Sequence, residues 1–256
     1  MSKNIEQKLT ETILGRICKR LSARDITLSK ITQDGRINSA ANETEIIEEL
    51  KLFEAEDELI QELGLKIGIP NITNNRAWYD FSIESNDDSK DFFAPVNIKV
   101  TDLETGAPDN LNCKMGLFYA NTGLRPELIE LEDGKSFGNS NDWDRFLELL
   151  DQNMAKDKNK DYYFLVVNKK NPTDVFWNSL RQLETLVPNG NNPPFQCTWK
   201  KNRTRVERTY VEARTFMLST LQETFNKRAQ PKFAFDRTNA KYIGIKTDFP
   251  VESTEE

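Results

Sequence analysis

Three polar side chains in two neighbouring segments have the types and spacing that phosphodiester chemistry requires. Asp80 lies in the segment WYDF, and Asn97 and Lys99 lie in PVNIKV. The second segment is typical of a strand, so its two polar residues point to one face, which Asp80 on a partner strand can reach. A carboxylate, an amide oxygen and an ammonium at one point suit Mg²⁺ and a scissile phosphate. This grouping predicts phosphodiester hydrolysis, with Lys99 positioning or deprotonating a water and offsetting charge on the phosphate oxygens.

The amino-acid composition excludes the main rival chemistries. The chain has 256 residues and no histidine, so triads with a histidine base, zinc hydrolases and histidine-based nucleases are excluded. Its three cysteines, Cys18, Cys113 and Cys197, lie far apart and form no CxxC pair, which indicates buried thiols and neither a zinc site nor a disulfide framework.

Positive charge is concentrated in one segment of an otherwise acidic chain. A net charge of -6 argues against a protein that coats nucleic acid nonspecifically. Residues 199–208, however, form a basic run that is suited to contact DNA phosphates or bases. Residues in this run, in the loop and strand before it, and one lysine earlier in the chain are predicted to bind DNA. They are Lys114, Asn189, Asn191, Asn192, Gln196, Lys200, Lys201, Asn202, Arg203 and Arg205. Asn and Gln amides can pair with adenine, but the sequence does not specify which bases are read.

The site needs a hairpin to position it, and the hydrophobic pattern predicts one. Residues 76–85 alternate apolar and polar side chains, a hydrophilic turn follows, and residues 92–100 form a second strand, so the two strands should pair antiparallel. A helix over 111–123, ending at Gly123, should follow. A helix over 39–63 should precede the hairpin, with Asn42 as N-cap and Glu45 completing a capping box.

The remaining segments complete a mixed α/β pattern. Helices are predicted over 5–22, 142–154 and 205–227, and strands over 162–168, 174–180 and 195–199, the first of these three being apolar enough for a central strand. Surface loops should cover 124–141 and 187–194, and a polar connector should contain Asp34, Gly35 and Arg36. We expect one domain over 1–246 and a disordered tail over 247–256. No apolar run is long enough to span a membrane, and the N-terminal segment lacks signal-peptide features, so a cytoplasmic protein is expected.

The residues around the site resemble a known family. Asp80 in WYDF followed by PVNIKV is similar to the PD-(D/E)xK nucleases, most closely to type II restriction endonucleases that carry Asn-x-Lys in the active site. The segments DGRINSAANETEII, DNLNCKMGLFYANTG and FWNSLRQLETLVPNGNNPPFQCTW are also similar to pieces of such enzymes. The resemblance covers about residues 34 to 220.

The resemblance implies a central mixed sheet flanked by helices, Mg²⁺ dependence and double-stranded DNA as the substrate. It also implies that Asp80 is a metal ligand, that Asn97 takes the place of the second carboxylate and that Lys99 is the catalytic lysine. A Glu on the preceding helix often completes such a site, and Glu45 is our choice, with Glu43 and Glu49 behind it. A neutral amide binds Mg²⁺ less strongly than a carboxylate. Either Glu45 therefore supplies much of the metal affinity, or Asn97 contacts the metal through a water molecule. The number of metal ions is left open by these alternatives.

Each of these residues also has an ordinary structural explanation. Asp80 would be an exposed strand-end carboxylate, Asn97 an edge amide bonded to a loop, and Lys99 a solvated strand lysine. Ile98 and Val100, however, mark the opposite face as the core, which favours a cleft position for Lys99. The capping box alone explains Glu45, and a solvated surface explains both Lys114 and the basic run.

Three functions are compatible with this pattern. The first is a site-specific restriction endonuclease with recognition elements within 124–141 and 186–208, accompanied by a DNA methyltransferase that protects host DNA. Such an enzyme is expected to be a homodimer that cuts a palindrome, although a monomer cutting sequentially is an alternative. The second is a repair or recombination nuclease of the same fold. The third is a non-catalytic binding module in which Asp80 and Lys99 form a structural ion pair.

Overall fold

The structure is a computed structural model that describes residues 4–24, 28, 39–70, 77–87, 91–132, 134, 136–189 and 194–228. The predicted connector with Asp34, Gly35 and Arg36, the predicted tail over 247–256, and two predicted DNA-binding residues, Asn191 and Asn192, lie outside the described residues. Within the described ranges, no helix has the length and apolar character needed to cross a membrane.

In the described part of the chain, five strands form the central sheet. They are β1 (Leu65–Gly68), β2 (Phe81–Ser85), β3 (Phe93–Thr101), β5 (Tyr163–Asn168) and β6 (Asn171–Ser179), in the spatial order β1-β2-β3-β5-β6. β3 and β5 pair parallel and the other neighbours pair antiparallel, so the sheet is mixed, and helices flank it. The predicted fold class, a mixed α/β protein with a flanked mixed sheet, is confirmed.

Helices cover both faces of this sheet because its side chains alternate between two apolar clusters. The described helices are α1 (Ile5–Ser22), α2 (Ser39–Glu56), α3 (Glu58–Glu62), α4 (Lys114–Thr122), α5 (Trp143–Asn153) and α6 (Tyr210–Arg228). Ile98 and Leu165 belong to the cluster with α1 and α2, whereas Phe164 and Val166 belong to the cluster with α4, α5 and α6. Both faces of β5 are therefore buried, as its apolar sequence predicts.

A second, smaller sheet lies beside the first, and only one of its three strands, that over 195–199, was predicted from the sequence. It consists of β4 (Asp109–Leu111), β8 (Phe195–Cys197) and β7 (Val187–Pro188), with β8 in the middle. The prediction of a helix from residue 111 is wrong at its start, because Leu111 pairs with Phe195 and the helix begins at Lys114. The helix does end at Gly123, which has a φ of 78°.

Two other predicted elements differ from the structure. The helix predicted over 39–63 begins at Ser39, so Asn42 lies inside it and is not its N-cap, because Ala40 and Ala41 favour an earlier start. It also divides at Asp57, whose side chain accepts hydrogen bonds from the first backbone N–H groups of α3.

The predicted surface loop over 124–141 contains two short 3-10 helices, and Phe137 in the second is fully buried.

The last helix begins at Tyr210, five residues later than the predicted start at Arg205. Thr209 and Glu212 form a capping box, in which the Thr209 backbone N–H donates to Glu212 Oε2 (2.7 Å) and the Glu212 N–H donates to Thr209 Oγ1 (3.3 Å). This local signal outweighs the apolar spacing that favoured a longer helix.

The capping box gives a first testable prediction. Thr209→Ala should lower the free energy of unfolding by about 1 kcal/mol, because it removes the side-chain acceptor at the helix N-terminus. Thr215→Ala, in the interior of the same helix, should cost less, since alanine has the higher helix propensity. Urea denaturation of both variants measures the difference, and equal losses would contradict the role of Thr209.

Candidate active site

Asp80 is held at the start of β2 by two hydrogen bonds to β3. Its backbone N–H donates to the Val96 carbonyl (2.9 Å), and its carboxylate oxygen Oδ2 accepts from the Ile98 N–H (2.6 Å). These two partners lie on either side of Asn97. The carboxylate therefore lies against the strand that carries both other predicted site residues.

An aromatic cluster fixes the chain just before Asp80. The Tyr162 hydroxyl donates to the Trp78 carbonyl (2.7 Å), and the two rings stack with centroids 5.8 Å apart. Tyr162 in turn packs on Gly116 of α4, where an added Cβ would lie 2.6 Å from the ring. The Trp78 indole N–H donates to Glu127 (2.8 Å). The position of Asp80 thus depends on residues from three distant parts of the chain.

Asn97 and Lys99 point to the sheet face that carries α4, α5 and α6. Asn97 is in register with Phe164 and Lys99 with Val166, and both of these β5 residues belong to the apolar cluster on that face. Ile98 is buried on the opposite face, as predicted. The structure therefore brings Asp80, Asn97 and Lys99 together.

The Lys99 ammonium is half-buried and makes no hydrogen bond or ion pair with the residues that the structure describes. The structural ion pair with Asp80 that a non-catalytic module would use is thus not formed. The Lys99 charge nevertheless lowers the pKa values of Asp80, Cys113 and Cys197, although burial has a larger effect that raises each of them. The two thiols are buried, as predicted, and so is Cys18.

Burial raises the pKa of the Asp80 carboxyl above its usual range, and the hydrogen bond from Ile98 and the charge of Lys99 offset only part of this shift. An ionised carboxylate here is destabilised by loss of hydration. A bound cation would favour the ionised form, because it adds positive charge to the partial compensation that Lys99 provides.

The donor set suits Mg²⁺ better than a cation that needs an all-protein cage. Asp80 offers its second oxygen and Asn97 its amide oxygen, and neither is hydrogen-bonded to a residue in the described ranges. Across those ranges, no three His, Cys, Asp or Glu side chains are grouped so that they could hold a metal ion. Mg²⁺ retains several waters and takes substrate phosphates as ligands, so one carboxylate and one amide are sufficient protein ligands.

The predicted third ligand is not part of this group of side chains. Glu45 lies half-buried on α2, whose Ile46 and Leu50 pack on the sheet face opposite to Lys99. No α2 carboxylate is among the charges that act on the pKa of Asp80. Of the alternatives, Glu43 is half-buried on the same helix. Glu49 forms salt bridges, with its Oε2 lying 3.6 Å from Nε of Arg20 and 3.6 Å from Nε of Arg24. The role of Glu45 stays a prediction.

The arginines of the basic run mostly contact the protein itself. Arg203 forms a two-pronged salt bridge with Asp174 (both contacts 2.8 Å), and the Arg205 guanidinium lies 4.0 Å from the centre of the Trp177 ring. Lys200 and Lys201 are exposed, which is compatible with contacts to DNA phosphates.

Two further predicted DNA-binding residues have clear structural roles. Asn202 is fully buried, and its amide both accepts from the Thr185 N–H (2.9 Å) and donates to the Thr185 carbonyl (3.0 Å). It is therefore not exposed to DNA, and this prediction is corrected. Lys114 donates to the carbonyls of Ser140 and Asp142, and burial lowers its pKa to about 8. Its ammonium thus joins α4 to the start of α5.

Asn189 and Gln196, which were predicted to bind DNA, meet at a residue that the sequence reasoning missed. Both donate a side-chain N–H to Oδ1 of Asn110, at 3.0 and 2.9 Å. Asn110 lies in β4, a three-residue strand with too short a pattern to be recognised in the sequence.

A half-buried carboxylate, an amide oxygen and an ammonium on one sheet face can bind a hard cation together with a phosphate. The small sheet packs on the apolar cluster of this same face, to which its Leu111 and Phe195 belong, together with Trp199, whose ring packs against Phe164. Comparisons with protein-family models, curated proteins and solved structures give no match to this chain.

Proposed function

We propose that this protein is a Mg²⁺-dependent, site-specific endonuclease for double-stranded DNA, of the type II restriction class with Asn-x-Lys in the active site. One observation carries the proposal: the Asp80 carboxylate is held by the Ile98 N–H next to Asn97, on the strand that presents the Lys99 ammonium, which pairs with none of the described residues. A partly buried charge that forms no ion pair with any described residue costs stability, and such groups are typical of catalytic sites.

In this proposal Asp80 and Asn97 hold the cation. When bound, Mg²⁺ polarises the scissile phosphate and lowers the pKa of a bound water. Lys99 donates hydrogen bonds to a phosphate oxygen, orients the attacking water and offsets the negative charge that grows on the phosphate. The Ile98 N–H holds one Asp80 oxygen, so the other would be available to hold the cation.

We further propose that the enzyme binds DNA through exposed lysines and acts as a homodimer in the cytoplasm. Exposed Lys200 and Lys201 contact the phosphate backbone, which provides local positive charge in a chain of net charge -6. Two copies related by a two-fold axis cut both strands of a palindrome. The enzyme acts in the cytoplasm, beside a DNA methyltransferase that protects the host sequence.

Incubation of the purified protein with phage-length DNA and Mg²⁺ tests the function directly. Discrete fragments that disappear with EDTA support site-specific cleavage. Nicking only at junctions or damage would instead support a repair nuclease. DNA that stays intact over a range of Mg²⁺ and protein concentrations would overturn the proposal.

Asp80→Asn separates the catalytic role of Asp80 from its structural role. The amide keeps an oxygen that can accept from Ile98, so the free energy of unfolding should be unchanged or higher, because no half-buried carboxylate has to lose part of its hydration. Cleavage should fall at least about 100-fold, because the charged metal ligand is lost. Thermal unfolding and cleavage rates measured on one preparation test this, and a variant that is destabilised and still active would contradict it.

A further inference from the structure

A network of three amides lies on the small sheet and is not used by the proposed chemistry. Asn110 of β4 is directly opposite Gln196 of β8, so the two side chains share one face of the sheet. Their neighbours Leu111 and Phe195 are fully buried and point to the other face. Asn110 is exposed and Gln196 half-buried, so this face reaches solvent.

The hydrogen bonds fix which way the Asn110 amide points. Its Oδ1 accepts from Gln196 Nε2 at 2.9 Å and from Asn189 Nδ2 at 3.0 Å. Since two donors converge on this oxygen, the Asn110 NH₂ group is directed away from both of them. Neither this NH₂ group nor Oε1 of Gln196 is hydrogen-bonded to any residue in the described ranges. The pair therefore presents one donor beside one acceptor.

The network is anchored in the core. Asn189 is 2% exposed, and its backbone N–H donates to Thr224 of α6 (3.2 Å). The Thr224 hydroxyl donates to the Pro194 carbonyl (2.6 Å), just before β8. Such anchoring reduces the entropy that Asn110 and Gln196 would lose on binding a ligand.

The small sheet is also connected to the candidate active site. Trp199, two residues after β8, packs its ring against Phe164 with centroids 5.2 Å apart. Phe164 is in register with Asn97 on the neighbouring strand. The small sheet and the strands of the candidate site therefore pack on one shared apolar cluster, which contains Leu111, Phe195 and Phe164.

We propose that Asn110 and Gln196 together read the major-groove edge of one adenine in the DNA sequence that the enzyme cuts, an inference that rests on the proposed function. Adenine presents N7 as an acceptor beside the N6 amino donor, which complements the Asn110 NH₂ and Gln196 Oε1. Guanine presents two acceptors, so its O6 would face the Gln196 oxygen and no hydrogen bond could form between the two acceptors. Asn189 is a positioning residue, because it holds the Asn110 oxygen and does not itself contact the base.

The decisive variant is Asn110→Asp. It keeps an oxygen for Gln196 and Asn189 to bond and replaces only the outward NH₂ with an acceptor, so the fold is retained. Asn112→Asp is the matched control, because Asn112 is exposed, lies two residues away and acquires the same charge. Sequencing of fragment ends from the wild-type digest first defines the recognised site. Duplexes in which each adenine of that site is replaced in turn by 7-deazaadenine, which lacks the N7 acceptor, then test the contact.

One 7-deazaadenine position should lower wild-type and Asn112→Asp cleavage about 10-fold or more. Asn110→Asp should cut the unmodified site about 10-fold or more slowly than Asn112→Asp does, with no further loss at that position. If wild type cuts discrete sites and Asn110→Asp matches Asn112→Asp on every duplex, the inference is overturned while the proposed function stands. If wild type cuts no DNA, both fall together.

Discussion

Lys99→Ala should abolish cleavage while leaving the protein folded. The Lys99 ammonium is bonded to no residue in the described ranges, so its removal breaks no hydrogen bond or ion pair within that part of the protein. Loss of a group that stabilises charge in the transition state lowers rates by about 100- to 1000-fold, and a lysine that also orients the nucleophile should contribute at least as much. Single-turnover cleavage at saturating Mg²⁺ measures the effect on the chemical step.

Two further variants make this result interpretable. Lys99→Met keeps the length of the side chain and removes its charge, so it should be as inactive as Lys99→Ala. Lys66→Ala, on β1 of the same sheet, removes an ammonium that lies 3.4 Å from Glu84 and should leave the cleavage rate within about two-fold. DNA binding measured with Ca²⁺ in place of Mg²⁺ should persist in all three. Cleavage by Lys99→Met at the wild-type rate would remove Lys99 from the mechanism.

The candidate site could be predicted from sequence because it depends on local periodicity. In residues 93–101 the strand pattern alone places Asn97 and Lys99 on the face opposite Ile98, and the structure has them there. The antiparallel pairing of β2 with β3 follows from the short connection between them. The apolar run around Phe164 likewise indicates a strand with both faces buried, which is the case for β5.

What the sequence could not indicate depends on contacts between distant residues. β4 has three residues and is a strand only because β8, more than eighty residues later, pairs with it. Asn110 could not be recognised for the same reason. Asn202 was predicted at the surface from its basic neighbours, yet the backbone of Thr185 binds its amide in the interior. Side-chain chemistry alone does not distinguish a buried amide from an exposed one.

Some signals were present in the sequence but were outweighed by others. Thr209 and Glu212 have the spacing of a capping box, but the apolar periodicity that extends upstream favoured an earlier helix start. The basic run suggested a surface for DNA, whereas Arg203 and Arg205 contact Asp174 and Trp177 of β6. A run of basic residues in the sequence therefore does not show which of its arginines will be bound by acidic or aromatic side chains of the protein itself.

Arg181→Ala should cause the largest loss of stability of the substitutions considered. Arg181 is 6% exposed and donates to the carbonyls of Ala120 and Lys158. Its Nε also lies 4.0 Å from the buried Asp161 carboxylate. Removing the cation leaves this carboxylate buried without its partner, which costs about 3–5 kcal/mol. Arg203→Ala is the control, because it breaks an exposed pair with Asp174 that is worth at most about 1 kcal/mol.

The pH dependence of this loss identifies its cause. Burial raises the pKa of Asp161, and the Arg181 charge is the main effect that opposes the shift, so the pKa rises further in the variant. A carboxyl whose pKa is higher in the folded state binds protons more tightly there, so its contribution to stability is retained at low pH and lost as pH rises. Urea unfolding should therefore show a smaller penalty for Arg181→Ala near the usual Asp pKa of about 3.9 than at neutral pH. Arg181→Ala with Asp161→Asn should recover part of the stability at neutral pH and lose this pH dependence. A penalty that stays constant with pH would show instead that the lost hydrogen bonds to Ala120 and Lys158 account for the effect.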